Sequence, residues 1–380
     1  MQLRDIADYV SERINSDYVE LENYITTDCL LPNKQGRTIA TNLPPKKYSL
    51  IKFQKGDILV SNIRPYLKKI WFAECNGGAS TDVLVFRAKK EHLSTYLYSV
   101  LLQDSFYEWT MKGPKGSRMP RGDKNQIMRF HIVDIAESAY PTGKIIKALN
   151  EKISLNKQIN QNLEALARQI YDYWFVQFDF PDANAKPYKS SGGKMVYNTQ
   201  LKREIPEGWE YVTANEITNV VTGKEDANFS TPDGKYPFFT CSRENLLCSK
   251  AAFSGKAILI AGNGDFNVKH YNGEFNAYQR TYVLIPNDEK YYGVLYFSAT
   301  GKIDIFRKGA NGSIVKFITK GDVEQIGVFN CKNENLYKFI NNLILQIENN
   351  NAEILSLTKQ RDELLPLLMN GQVNFDLSDD

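Results

Sequence analysis

Residues 146–174, IKALNEKISLNKQINQNLEALARQIYDYW, place apolar side chains alternately three and four residues apart. Residues 336–368, LYKFINNLILQIENNNAEILSLTKQRDELLPLL, keep the same alternation. This spacing, sustained over about four heptads, is typical of a coiled coil rather than of a merely amphipathic surface helix. The sequence therefore predicts two long helices that pair with each other.

Asparagines interrupt both apolar seams near their centres: Asn156 and Asn160 in the first and Asn350 in the second. If the helices pair antiparallel about their midpoints, Asn160 falls close to Asn350. A polar contact in such a seam can fix the register at some loss of stability. The alternative is that these asparagines lie on a solvated edge. We expect Pro366 to end or kink the second helix and Gly371 to cap it.

The chain also repeats itself upstream of each long helix. The matched pairs are Ile6 with Ile217, Ile58-Leu59 with Ile258-Leu259, Lys112-Gly113 with Lys308-Gly309, Gly116-Ser117 with Gly312-Ser313, Gly122-Asp123 with Gly321-Asp322, and Gln126-Ile127 with Gln325-Ile326. No single match is significant, but their common order indicates diverged copies of one module with loop insertions.

Each copy mixes strand and helix signals. Short β-branched and aromatic runs, such as residues 57–60, 70–72 and 83–86, predict buried or half-buried strands. A helical stretch follows at Tyr96 to Trp109, with a counterpart near Tyr291 to Ser298. The sequence thus predicts an α+β module that occurs twice, and two like modules with two long helices give an approximate two-fold axis.

The composition fits this division. A chain of 380 residues is long enough for two domains, and 42% hydrophobic with 24% charged residues excludes a disordered or fibrous protein. No apolar run reaches the ~18 residues of a membrane span, and the N-terminus lacks an apolar signal segment. Five scattered cysteines without a C-x-x-C pair favour reduced thiols in a cytoplasm.

The net charge of +3 conceals two basic blocks. Residues 46–133 carry sixteen basic and seven acidic side chains, a balance of +9, and residues 235–320 carry twelve and six, a balance of +6. Basic blocks of this kind favour association with a polyanion such as nucleic acid. The alternative is two ordinary solvated surfaces. If the modules do bind DNA, the first seam, which spans roughly 42 Å at 1.5 Å per residue, would separate them by about one turn of the duplex.

Catalytic and metal-binding motifs are missing from the sequence. Each Gly-Lys pair lacks the Ser or Thr of a phosphate-binding loop, and Asn42-Leu43-Pro44-Pro45 departs from the N-P-P-aromatic site of adenine methyltransferases. The three histidines, His92, His131 and His270, are isolated, which argues against a zinc cluster or a histidine-activated nucleophile. We therefore expect a chain that binds no cofactor or metal and catalyses nothing alone.

The helical segments also carry a family resemblance. The quoted first helix with its sequel YWFVQFDF at 173–180, the stretch KPYKSSGGKMVYNTQLKREIPEGWE at 186–210, and QRDELLPLLMNG at 360–371 resemble specificity subunits of type I restriction-modification enzymes. Lys55-Gly56-Asp57-Ile58-Leu59-Val60-Ser61 fits that family's recognition domains. The resemblance covers nearly the whole chain and is weaker within the modules.

The resemblance implies target-recognition domains at residues 1–142 and 208–332, long helices at 143–178 and 333–375, and a linker at 179–207. Each domain would read one half of a bipartite DNA site in the major groove, while an antiparallel coiled coil sets the gap. Two methyltransferase subunits, which would carry S-adenosylmethionine, are expected to dock on this scaffold. A restriction/translocase subunit using ATP and Mg would join them, in a bacterial or archaeal cytoplasm.

Arginine can read guanine and asparagine can read adenine, whereas most lysines would touch phosphate. The candidate DNA-binding residues are Arg64, Lys68, Lys69, Lys112, Lys115, Arg118, Arg121 and Lys124 in the first module, and Asn263, Asn267, Lys269, Arg280, Lys302, Arg307, Lys308 and Lys316 in the second. Two rivals remain open: a coiled-coil protein-interaction scaffold without DNA specificity, and a single-chain modification enzyme.

Overall fold

The computed structural model describes residues 1–112, 120–133, 142–309 and 317–372. The chain divides into two compact units: unit 1 is Met1–Lys157 with Glu353–Asp380, and unit 2 is Gln158–Ala352. The helices are α1 (Leu3–Ile6), α2 (Ser94–Leu102), α3 (Asp104–Met111), α4 (Lys124–Ile127), α5 (Thr142–Tyr171), α6 (Ala214–Ile217), α7 (Tyr291–Gly309), α8 (Lys320–Glu324) and α9 (Glu334–Met369).

The strands of unit 1 are β1 (Ala7–Tyr9), β2 (Arg13–Asn15), β3 (Tyr24–Ile25), β4 (Ser49–Phe53), β5 (Ile58–Ser61), β6 (Ile70–Phe72), β7 (Gly77–Ala79) and β8 (Val83–Ala88). They form two four-stranded sheets, in the orders β1-β8-β5-β6 and β2-β4-β7-β3. All pairs are antiparallel except β3 with β7.

The strands of unit 2 are β9 (Met195–Asn198), β10 (Arg203–Pro206), β11 (Glu210–Thr213), β12 (Val221–Thr222), β13 (Tyr236–Phe239), β14 (Leu246–Cys248), β15 (Phe253–Ala261), β16 (Val268–Ala277), β17 (Thr281–Leu284) and β18 (Gly327–Asn330). Six of them form one sheet in the order β12-β17-β15-β16-β13-β14, while β9 pairs with β10 and β11 pairs with β18. The predicted linker, residues 179–207, thus contains the β9–β10 hairpin.

Apolar runs in the central strands are explained by cores on both faces of a sheet. In unit 1, Ile58 of β5 packs into a core with the helices, whereas Leu59 packs into a second core with the other sheet. In unit 2, Ile258 and Leu259 of β15 divide in the same way between two cores. Successive side chains of a strand point to opposite faces, so every position is apolar where both faces are covered.

The repeat inferred from the sequence is present in the two units. The matched strands β5 and β15 each lie between two antiparallel neighbours. The matched Ile6 and Ile217 are buried in the four-residue helices α1 and α6, and a capping box begins each of these helices. The predicted α+β module that occurs twice is therefore confirmed.

Both predicted long helices are present, as α5 and α9, and their seam positions are buried or half-buried. Within unit 1, Asn150 contacts Arg361 and Asn156 contacts Glu353. The residue numbers rise along one helix as they fall along the other, so the pairing there is antiparallel.

Two local predictions about the helices differ in detail from the structure. The stretch Tyr96 to Trp109 is not one helix, because Gln103 has extended backbone with φ −63° and ψ 141° and separates α2 from α3. Of the two outcomes expected for Pro366, an end of the helix is wrong, because α9 runs on to Met369.

The predicted cap at Gly371 is confirmed. Its φ is 68°, a left-handed value that favours glycine. The Gly371 amide donates to the Leu368 carbonyl at 3.3 Å, and the Gln372 amide donates to the Leu367 carbonyl at 3.0 Å. This pair of bonds is the Schellman motif, which satisfies carbonyls that the helix end leaves unpaired.

Candidate nucleic-acid interface

The segment between β5 and β6 carries three candidate residues of unit 1. Arg64 is exposed and has left-handed backbone, with φ 50°. The Lys68 ammonium lies 2.9 Å from the Asp104 carboxylate, and the Lys69 ammonium donates to the Thr27 carbonyl at 2.7 Å. Of these three, Arg64 is exposed, while the two lysines are half-buried and bonded to other parts of the unit.

Residues 120–124 lie beside this segment. The Arg64 amide donates to the Pro120 carbonyl at 2.9 Å, and Ile63 forms a β-bridge with Arg121. The Arg121 guanidinium is exposed and lies 3.1 Å from the Asp82 carboxylate. The structure therefore brings Arg64 and Arg121 together from segments almost sixty residues apart.

The other two described candidates of unit 1 contact aromatic rings. The Lys124 ammonium lies 5.9 Å from the centre of the Tyr9 ring, and the Lys112 ammonium lies 5.7 Å from that of Trp109. Both lysines are exposed. Candidates Lys115 and Arg118 lie outside the described residues, as does Lys316 of the second module.

In unit 2, candidates gather around the turn that joins β15 to β16. The Asn267 amide donates to the Cys241 carbonyl at 2.9 Å, and the Lys269 ammonium donates to the Ser242 carbonyl at 2.6 Å. Asn263 forms a β-bridge with Phe317, and the Gly262 amide donates to the carbonyl of the exposed Arg280 at 2.9 Å. Asn267 and Lys269 thus hold the segment after β13.

The remaining candidates of unit 2 lie on another element. Lys302 is half-exposed on α7, and Arg307 and Lys308 belong to the last turns of the same helix. The side chains of Arg307 and Lys308 lie outside the described part of the structure.

Each of two basic clusters contains a group with a lowered pKa. Burial lowers the pKa of Lys269 to about 8, with its ammonium 5.7 Å from the centre of the Phe239 ring. Burial would raise the pKa of Asp104, but hydrogen bonds and charges from Lys34 and Lys68 outweigh it and lower the pKa below its ordinary value. Asp104 therefore stays ionised and holds both ammonium groups.

Sequence reasoning missed Lys34, Tyr66 and Arg243. Lys34 lies in an acidic stretch of the chain, yet its ammonium reaches Asp104 at 2.7 Å. The Tyr66 side chain is half exposed beside Arg64, and the Arg243 guanidinium donates to Asp265 at 2.5 Å near the β15–β16 turn. Tyr66 could have been found from its position in the run Arg64-Pro65-Tyr66-Leu67-Lys68-Lys69; Lys34 has no such signal.

The asparagines of the helix seam are engaged. Within unit 1, Asn156 is buried and its amide donates to the Glu353 carboxylate at 2.8 Å. Within unit 2, the Asn350 amide donates to the Asn160 side-chain oxygen at 2.8 Å, and the Asn160 amide donates to Asn351 at 2.9 Å. The polar positions of the two seams therefore meet each other or a carboxylate.

Among the described residues, no group of histidine, cysteine, aspartate and glutamate side chains has the arrangement of a metal site. His270 contacts the Glu348 carboxylate at 2.9 Å, and His131 lies against the Trp109 ring. A search of the same residues for a helix with the length and hydropathy of a membrane span found none.

Comparisons with known proteins agree on one family. Residues 206–359 match the family described as the type I restriction modification DNA specificity domain. The specificity subunit of the type I restriction enzyme EcoDI from Escherichia coli is 36% identical over 177 residues. That match covers 45% of this chain and 40% of the relative's length.

Two further relatives match over most of their length. The MjaIX specificity subunit of Methanocaldococcus jannaschii is 23% identical, with 89% of this chain and 82% of the relative covered. The HindI specificity subunit of Haemophilus influenzae is 24% identical, with 98% of each chain covered.

Among solved structures, the S subunit of a type I restriction-modification system from M. genitalium has the same fold. The TM-score is 0.62 at 15% identity, over 97% of this chain and 95% of that one. The duplicated α+β module, the two long helices and these matches lead to one conclusion: residues 206–359 match the type I restriction modification DNA specificity domain, and the chain as a whole is similar to type I restriction enzyme specificity subunits.

Proposed function

We propose that this chain is the DNA-recognition subunit of a type I restriction-modification complex and catalyses no reaction itself. Residues 1–142 and 208–332 act as two target-recognition domains, each reading one half of a bipartite site in the major groove. The single observation that carries this proposal is the duplicated module, which bears exposed arginines in both copies within a chain similar to type I specificity subunits. Two recognition units on one chain suit a site with two halves.

The long helices, α5 and α9, set the gap between the half-sites and fix its length through their polar register positions. Methyltransferase subunits dock on this scaffold and supply S-adenosylmethionine, and a restriction subunit supplies ATP and Mg chemistry. The complex works in the cytoplasm of a bacterial or archaeal cell, where its DNA is found.

Mapping of methylated adenines tests this proposal. Cells that express the chain with its methyltransferase partners should carry methylation at one bipartite sequence, and cells that express the partners alone should lack it. Identical maps from the two strains would contradict the proposal.

A protein-interaction scaffold without DNA specificity is the second candidate, which the long apolar seams favour. The two are distinguished by binding of the full chain to duplex DNA over a series of salt concentrations. A DNA-binding chain should lose affinity with a log–log slope of about −0.9 for each phosphate that it neutralises. A scaffold would show no such binding.

A further inference from the structure

The segment that joins β5 to β6 in unit 1, residues 62–69, has an unusual backbone; we call it the β5–β6 loop. Arg64 and Lys68 both have left-handed φ values, 50° and 51°, on either side of the short 3-10 turn Pro65–Leu67. Non-glycine residues rarely adopt this conformation, and it persists only where the surrounding structure holds it.

A second left-handed segment braces this loop. Asn33 and Lys34 have φ values of 55° and 60°. The Asn33 amide donates to the Leu67 carbonyl at 2.8 Å, and the Lys34 amide donates to the Lys68 carbonyl at 2.9 Å. The two strained segments are therefore bonded residue by residue, and the loop has little freedom to move.

One carboxylate ties both segments to α3. Asp104, the first residue of that helix, lies 2.7 Å from the Lys34 ammonium and 2.9 Å from the Lys68 ammonium. The Lys34 side chain is only 9% exposed, and a buried ammonium is costly unless it is paired, as this one is with Asp104. Asp104 therefore pairs with one lysine of the β5–β6 loop and with one lysine of the segment that is bonded to this loop.

The loop directs two different side chains to solvent. Arg64 is exposed and Tyr66 is 51% exposed, one on each side of the buried Pro65. Arginine can donate two hydrogen bonds to a guanine edge, and tyrosine offers an aromatic face with a hydroxyl. Because the loop already holds these groups in place, less conformational entropy is lost when they bind a partner.

We propose that the β5–β6 loop is a preorganised base-reading loop, in which Arg64 and Tyr66 contact base pairs of duplex DNA and Asp104 positions them through Lys34 and Lys68. The inference rests on the proposed function, since it requires that unit 1 reads DNA. It adds Tyr66 as a specificity residue, with Lys34 and Asp104 as positioning residues.

The test uses the full chain with its methyltransferase partners and duplexes that carry the mapped site with single base-pair changes. Arg64→Ala should reduce discrimination at one base pair of one half-site by about 5- to 150-fold, as expected for a bidentate contact, and leave the other half-site unchanged. Arg64→Lys keeps the charge and should lose discrimination while keeping affinity for random duplex. Tyr66→Ala should reduce discrimination at an adjacent base pair.

Arg13→Ala is the matched control, because Arg13 is an exposed arginine of the same unit on β2, at the edge of its sheet opposite to β3. It should behave as the wild type. If Arg64→Ala weakens binding to cognate and random duplexes equally, Arg64 contacts phosphate and the inference is overturned. Unchanged discrimination in both Arg64 variants overturns it as well.

The positioning role has its own readout. Asp104→Asn should reduce discrimination at the same base pair as Arg64→Ala, and Asp104→Glu should restore it in part. A lower melting temperature with unchanged discrimination would show a structural role only. Failure of the proposed function looks different, because the wild-type complex itself would then show no sequence-specific methylation.

Discussion

Lys269 and Arg280 are basic residues near the same turn of unit 2, yet their side chains have different surroundings. The Lys269 ammonium is half-buried, donates to Ser242 and Asn245, and lies against the Phe239 ring. Arg280 is exposed, and its backbone carbonyl accepts the Gly262 amide. We expect these two residues to respond differently to pH and to substitution.

The lowered pKa of Lys269 predicts a pH dependence of stability. The folded chain releases this proton at about pH 8, whereas the unfolded chain holds it to about 10.5. The contribution of Lys269 to the free energy of unfolding should therefore rise with pH between about 8 and 10.5. The same contribution should be lost as the pH falls from 10.5 through 8. Melting temperatures of wild type and Lys269→Met between pH 7.5 and 9.5 check this. As the pH rises, the melting temperature of wild type should increase relative to that of Lys269→Met. If the two melting temperatures change in parallel with pH, the prediction is wrong.

Substitution of Arg280 tests base reading by unit 2. Arg280→Ala should cost ~1–3 kcal/mol of binding free energy at one half-site if the guanidinium reads a base. Competition binding with duplexes changed in either half-site measures this cost. Equal weakening on cognate and random DNA would make Arg280 a phosphate contact.

At the scale of elements, the long helices combine apolar seams with polar contacts that satisfy one another. In unit 2 the side chains of Asn160, Asn350 and Asn351 form one hydrogen-bonded group. In unit 1 the buried Arg361 donates to Asn150 at 2.9 Å and to Asp362 at 2.9 Å. Such contacts favour one register, because a shift would leave partly buried polar groups without partners.

The Asn160 contact can be tested by double substitution. Asn160→Leu alone should destabilise the chain by about 1–2 kcal/mol, since Asn350 loses its acceptor, and Asn160→Leu with Asn350→Leu should recover most of this loss. Chemical unfolding of the full chain measures both. Asn162→Leu, at an exposed position of α5, is the control. If the double variant loses as much unfolding free energy as Asn160→Leu and Asn350→Leu together, the two residues do not share a contact.

At the scale of the whole molecule, each long helix contributes residues to both units. We propose that the length of the helix pair sets the gap between the DNA half-sites. The two helices must change together, because a one-sided insertion would put the seams out of register.

One heptad inserted into α5 near Asn160, together with one into α9 near Asn350, should therefore lengthen the gap. Seven residues add ~10 Å, or about three base pairs at 3.4 Å each. Mapping of the methylated adenines would show the new gap, with the half-site sequences retained. A heptad in α5 alone is the control and should abolish methylation. An unchanged gap in the double insertion would exclude the spacer role.

The helix seams and the central strands could be predicted from sequence because their signals are local. The heptad spacing of residues 146–174 reflects a helix with one covered side, and the apolar run at 83–86 reflects a strand with both faces covered. The duplication of the module could also be predicted from the sequence, since the matched residues Ile58 and Ile258 lie in equivalent strands.

The sequence by itself determined the α+β repeat, the long helices, the two basic blocks and the family resemblance. Only the tertiary structure decided which basic side chains form ion pairs or hydrogen bonds within the protein and which are exposed. Lys68 is held by Asp104 and Lys34 by the same carboxylate, whereas Arg64, four residues from Lys68, is exposed. The physical reason is that the charge, burial and backbone of a loop residue depend on partners far along the chain, which no local pattern of residues records.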